Sequence, residues 1–112
     1  MLIEDNEDIQ DIIKFVLEGA GYSVITSINS TLLNEIPFHK PDLVILDNQL
    51  PDGLGKDLCL DLKSKQETMS TPVVLISANT HLDEMAEDCK ANGFLNKPFD
   101  IAELLSLVAT HI

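Results

Sequence analysis

With 112 residues, a net charge of −12 and no arginine, the chain reads as one domain without the clustered cations that a nucleic-acid backbone requires. Hydrophobic residues make up 45%, enough for a core, yet no apolar window reaches the length of a membrane span, and the N-terminus lacks the layout of a signal peptide. A cytoplasmic protein without direct nucleic-acid or membrane contact is expected, with Cys59 and Cys89 as reduced core thiols because no Cys/His metal spacing is present.

The chain reads as strand then helix, five times over. Met1-Leu2-Ile3 is an apolar run that ends on Glu4-Asp5. From Asn6 to Glu18 the spacing of Ile9, Ile12, Ile13, Val16 and Leu17 predicts an amphipathic helix, stopped by Gly19 and Gly21. Ser23 to Ser27 is the second strand. Ser30 is placed to cap a short helix that ends before Pro37. Leu43-Val44-Ile45-Leu46 then runs into Asp47, and the turn-rich loop Leu50-Pro51-Asp52-Gly53-Leu54-Gly55 leads to a helix with Leu58, Cys59 and Leu62 inward.

After a polar connection from Ser64 to Thr71, Pro72 opens Val73-Val74-Leu75-Ile76, which ends on Ser77. Leu82, Met85, Ala86 and Cys89 lie at helical spacing. Asn92 or Gly93 is predicted to supply the left-handed cap that ends this helix. Phe94-Leu95 leads through Asn96 to Lys97, and Asp100-Ile101-Ala102-Glu103 starts a last helix that buries Ile101, Leu104, Leu105 and Val108. Continuous apolar runs alternating with helices predict a parallel sheet buried on both faces. Right-handed crossovers then bring all the strand ends to one edge, where Glu4, Asp5, Asp47, Ser77 and Lys97 would share a crevice suited to a divalent metal and phosphoryl transfer.

The set Leu2-Ile3-Glu4-Asp5-Asn6, Pro41-Asp42-Leu43-Val44-Ile45-Leu46-Asp47, Leu50-Pro51-Asp52-Gly53-Leu54-Gly55, Pro72-Val73-Val74-Leu75-Ile76-Ser77-Ala78 and Lys97-Pro98-Phe99 resembles the receiver domain of two-component response regulators, the chemotaxis-regulator-like superfamily. The pieces occur in order and span essentially the whole chain, residues 1–112. The resemblance implies an α/β, flavodoxin-like, doubly wound sheet of five parallel strands in the order 2-1-3-4-5 with five helices. Strand one is shorter than in relatives and the last helix runs to His111-Ile112, so a domain trimmed at one or both ends is expected.

By resemblance, Asp47 is the phosphoacceptor, with Lys97 and Ser77 completing the catalytic set. Asp5 and Asp47 would hold Mg²⁺ directly, Glu4 through water and Gln49 through its backbone carbonyl, with Mn²⁺ as a substitute. Lys97 is expected to pair with an Asp47 oxygen at rest, on a Lys97–Pro98 bond that is cis. Ser77 and Phe94 would form the switch, and Gln49 and Asn79 would tune the lifetime of the phosphoryl group. Taken singly, each has a plainer reading: Asp47 as a solvated strand-end acid, Glu4-Asp5 as acids favoured by a helix dipole, Phe94 as a core aromatic.

The function expected is a phosphorelay switch rather than a turnover enzyme. It takes a phosphoryl group from a histidine kinase or phosphotransfer domain and changes shape at the face made by helix 4, strand 5 and helix 5. Its outlet would be an output domain, a downstream protein or a homodimer formed on phosphorylation. A phosphorylation-independent interaction module is the alternative. A flavodoxin would need a Ser/Thr-rich phosphate loop after strand one, where Glu4-Asp5 would repel phosphate. A haloacid-dehalogenase-type phosphatase would need a second Asp where Gln49 stands.

Overall fold

The computed structural model of the protein describes residues 1–112. Five parallel strands form the sheet: β1 (Leu2–Ile3), β2 (Thr26–Ser27), β3 (Val44–Asp47), β6 (Val73–Ser77) and β7 (Gly93–Asn96). A small antiparallel hairpin, β4 (Gln49–Leu50) with β5 (Gly53–Leu54), lies between β3 and the next helix. The sheet order is β2-β1-β3-β6-β7, which is the order 2-1-3-4-5 once the hairpin is set aside. The helices are α1 (Glu7–Gly19), α2 (Ile36–His39) preceded by a 3₁₀ turn (Ser30–Glu35), α3 (Gly55–Ser64), α4 (Leu82–Asp88) and α5 (Ile101–His111). No helix is long and apolar enough to cross a membrane.

Strand alternation sorts the core into two layers. Val44, Leu46, Val73 and Leu75 pack with Leu33, Ile36, Cys59, Leu62, Leu82 and Ala86, on the side of α2, α3 and α4. Ile45, Val74, Ile76 and Leu95 pack with Ile13, Leu17, Leu104 and Val108, on the side of α1 and α5. Both faces are covered, which is why these strands carry no polar residue before their ends. Each fully buried Leu or Ile here contributes about 1.5–3 kcal/mol of apolar transfer. Cys59 and Cys89 are free and buried, and burial pushes the Cys59 thiol up to about 12.

The structure departs from the sequence reading in instructive places. Ile12 is 58% exposed, because it sits roughly a quarter-turn off the Ile9–Ile13–Val16–Leu17 stripe. Ile101 is 57% exposed; it is the first residue of α5, ahead of the turn that places Leu104 in the core. The second strand keeps only Thr26–Ser27, since β1 offers it two rungs. Asn29, not Ser30, caps the following turn, and Ser30 instead donates through N–H and Oγ–H to Asp52 in the β4–β5 turn. The helical path continues through Pro37, which stands in the first turn of α2, where no N–H partner is needed. The predicted left-handed cap falls on Lys90 itself, at φ 63°, rather than on Asn92 or Gly93. A side chain in that region is strained, so Lys90→Gly is expected to stabilise the fold by about 0.5–1 kcal/mol, read as a higher urea midpoint with unchanged slope.

Gly55 is a genuine steric requirement. A Cβ there would lie 2.5 Å from the Asp47 carbonyl oxygen and 2.8 Å from Asn48 Cα. The start of α3 is thereby pressed against the end of β3. Gly55→Ala is expected to cost about 1–3 kcal/mol, measured by chemical denaturation, because backbone rather than a flexible side chain must give way.

Candidate functional site

Each strand of the parallel sheet except β2 delivers polar groups to the carboxyl edge, two from β1 and one from each of the others. β1 runs into Glu4, which has no exposed surface, and then into exposed Asp5. β3 ends on Asp47 and β6 on Ser77, both buried. β7 ends at Asn96, and Lys97 follows on a cis peptide to Pro98. Asp5, Asp47, Ser77 and Lys97, with Asn6, Gln49, Ala78 and Asn79, line an open cleft of about 420 Å³, and Glu4 lies buried beside it.

Carboxylate oxygens of Glu4, Asp5 and Asp47 all lie within 4.8 Å of one another. The Lys97 ammonium reaches into this cluster. Its Nζ is 2.6 Å from Glu4 Oε1 and 3.6 Å from Asp47 Oδ2. The expected resting pair with Asp47 is therefore the longer of two contacts, and Glu4 holds the shorter one. Burial explains the order: Glu4 has no water to solvate it, so it takes the nearest cation. Its other oxygen accepts from the Asn6 N–H at 3.3 Å.

Asp47 Oδ1 accepts from the Gln49 N–H at 3.3 Å. Burial, and then hydrogen bonding with Glu4 and Asp5, raise the Asp47 carboxyl to about 8. Asp5 moves the other way: burial opposes its ionisation, but hydrogen bonding with Asp47, Glu4 and its own backbone, with the Lys97 charge, lowers it overall. Without a cation in the cleft, the two acids are thus pushed apart, Asp47 toward its neutral form and Asp5 toward its ionised one. Ser77 Oγ accepts from the Asn79 N–H at 3.2 Å, and the Lys97 N–H donates to the Ser77 carbonyl at 2.8 Å, so the ends of β6 and β7 are tied together. Phe94 is 39% exposed on the edge strand, opposite Leu75 in register.

All the residues singled out from the sequence are thus located. Glu4, Asp5, Asp47, Gln49, Ser77, Asn79 and Lys97 come together, while Phe94 lies back along β7 from the cleft. Asn48, which the sequence reading passed over, is also built into this edge. It is buried; its carbonyl accepts from the Gly55 N–H at 2.7 Å and its Oδ1 from the Lys56 N–H at 3.1 Å. Leu54 cannot cap α3 by a side chain, so Asn48 does so from the carboxyl end of β3. The missing cap in the sequence before Gly55 was the available signal.

The oxygen-only donor set suits a hard divalent cation. A cation there would neutralise three converging acids that otherwise must share protons.

The protein-family model for the response regulator receiver domain matches residues 1–109. The KDP operon transcriptional regulatory protein KdpE of Escherichia coli is 37% identical over 109 residues, covering 93% of this chain and 46% of that protein. The chain thus spans less than half the length of the curated relatives it matches. A putative response regulator from Chloroflexus aurantiacus has a similar structure, with a TM-score of 0.91, 27% identity and coverage of 97% of this chain and 92% of that one. The receiver domain of the sensor histidine kinase PA1611 from Pseudomonas aeruginosa, solved with a magnesium ion in its active-site cleft, shares the fold at a TM-score of 0.88, 24% identity and coverage of 98% of this chain and 93% of that one. With its sheet order, its edge cluster of acids and these matches, the chain belongs to the response regulator receiver domain family of two-component systems.

Proposed function

We propose that this domain is a phosphoacceptor switch that takes a phosphoryl group onto Asp47 from the phosphohistidine of a histidine kinase or phosphotransfer domain. One observation carries the reading: three carboxylates within 4.8 Å of each other, with the Lys97 ammonium 2.6 Å from one and 3.6 Å from another. The magnesium described in the PA1611 receiver domain supports the same ion here. Asp5 and Asp47 would hold Mg²⁺ directly, Glu4 through water and Gln49 through its carbonyl, with Mn²⁺ able to replace it. The bound ion would neutralise phosphoryl oxygens and keep Asp47 ionised.

In the transfer, an Asp47 Oδ–P bond forms while the P–N bond to the donor imidazole breaks and the imidazole departs. Lys97 Nζ meets one phosphoryl oxygen and Ser77 Oγ–H donates to another, so the chain contributes position and charge rather than a turnover site. Gln49 and Asn79, both uncharged amides, control how water reaches phosphorus. Turning Ser77 toward the phosphoryl group releases its bond from the Asn79 N–H and pulls the segment that leads into α4. Phe94 would turn inward in the same transition, and the face of α4, β7 and α5 would carry the change to an output domain, a downstream protein or a second phosphorylated copy.

The test is intact mass after incubation with acetyl phosphate and Mg²⁺. A single phosphoryl adduct is expected, absent with EDTA and absent in Asp47→Asn. An adduct that persists in Asp47→Asn would overturn the assignment.

A further inference from the structure

Gln10 lies on α1, outside the acidic cleft, and joins two strand ends. Its Nε2 donates to the Glu4 carbonyl at 3.1 Å and to the Ser27 carbonyl at 2.9 Å. Both hydrogens of one amide nitrogen are thus spent on the carboxyl ends of β1 and β2. The Ser27 carbonyl also accepts from the Glu4 N–H at 3.1 Å, so the Glu4 backbone is gripped on both sides.

That grip falls at a sensitive point. β1 has only two residues in the ladder, so its own pairing holds Glu4 and Asp5 weakly. The peptide between Glu4 and Asp5 sets the direction in which both carboxylates leave the sheet. The Glu4 side chain is pulled toward Lys97 and the Asn6 N–H, while Asp5 lies exposed in the cleft. We infer that Gln10 is a positioning residue for the cation site: by clamping the Glu4 carbonyl it fixes the Glu4–Asp5 peptide in the orientation that aims both acids at Asp47. The inference rests on the proposed Mg²⁺ site and adds a residue to its outer support, where loss of a partner commonly weakens metal binding 10–100-fold.

Charge makes the test discriminating. Gln10→Glu removes the donors and adds a negative charge close to the site. If Gln10 mattered only through local charge, this change would tighten Mg²⁺ binding. If it acts as the clamp, two carbonyls face a carboxylate and binding weakens. Gln10→Met removes the donors without charge, and Gln10→Arg keeps N–H donors on a longer, cationic side chain that can still reach the two carbonyls.

The experiment is Mg²⁺ titration by calorimetry on the wild-type chain and these three variants, beside their metal-free thermal midpoints. The expected result is a Kd raised roughly 10-fold in both Gln10→Glu and Gln10→Met, with Gln10→Arg lying nearer wild type. A Kd within about twofold of wild type in Gln10→Met, or tighter binding in Gln10→Glu, would overturn the inference and leave Gln10 a structural hydrogen-bond donor only. No heat of binding in the wild-type chain would sink the Mg²⁺ reading itself, and the clamp with it.

Discussion

Lys97→Met will abolish phosphoryl transfer and destabilise the metal-free domain by roughly 3–5 kcal/mol at neutral pH. The size follows from Glu4. That carboxylate has no exposed surface, and the Lys97 ammonium at 2.6 Å is its one cationic partner. Removing one member of a buried pair leaves a charge that neither water nor another cation can reach. Asp5, an ionised acid within 4.8 Å, adds repulsion. The loss should shrink toward acid pH, where protons neutralise carboxylates instead. Mg²⁺ should restore part of it by supplying the missing positive charge. Lys97→Arg should recover most of the stability and little of the transfer, since a planar guanidinium keeps the charge but not the point-like reach of an ammonium. Urea denaturation across pH, with and without Mg²⁺, measures all of this; a stability unchanged in Lys97→Met would contradict the pairing.

Asp47→Asn should act in the opposite direction on the fold while equally abolishing transfer. The folded-state carboxyl is raised from 3.8 to about 8. An acid raised on folding adds stability in full below its unfolded value and loses it as pH rises through its folded value. The wild-type domain, free of metal, therefore weakens between about pH 4 and pH 8, whereas Asn has nothing to titrate. Asp47→Asn should gain roughly 1–3 kcal/mol over wild type by pH 8, with a difference that grows across this window and is flat above it. Saturating Mg²⁺ should narrow the gap, because it stabilises the ionised wild-type cluster more than the variant. A constant difference from pH 4 to pH 8 would show that Asp47 is not the group holding the proton.

The strand ends were legible because a parallel sheet covered on both faces leaves its strands no polar residue until they emerge. Leu43 to Leu46 could end only at Asp47, and Val73 to Ile76 only at Ser77. Glu4, Asp5 and Lys97 follow from the same logic on β1 and β7. Contacts made through backbone carbonyls were not legible. Gln10 reads as one more polar residue on α1, yet it grips Glu4 and Ser27. Asn48 interrupts the run after Asp47 and caps a helix eight residues on, a partnership set by the close approach that Gly55 permits. Side-chain choice within the cluster was also beyond periodicity: Lys97 prefers Glu4 because burial, not chain position, decides which acid most needs a cation. Ile12 and Ile101 show the limit of the apolar pattern, since an apolar residue at the margin or the first turn of a helix need not meet the core.

The most direct test of the central claim is to trap the acyl group where it forms. The domain is incubated with a phosphodonor and Mg²⁺, reduced with borohydride, which converts an aspartyl phosphate to homoserine, and sequenced by peptide mass spectrometry. Homoserine at position 47 alone is the predicted result. Homoserine at position 5, at another acid, or nowhere in a chain that carries a phosphoryl adduct would contradict it.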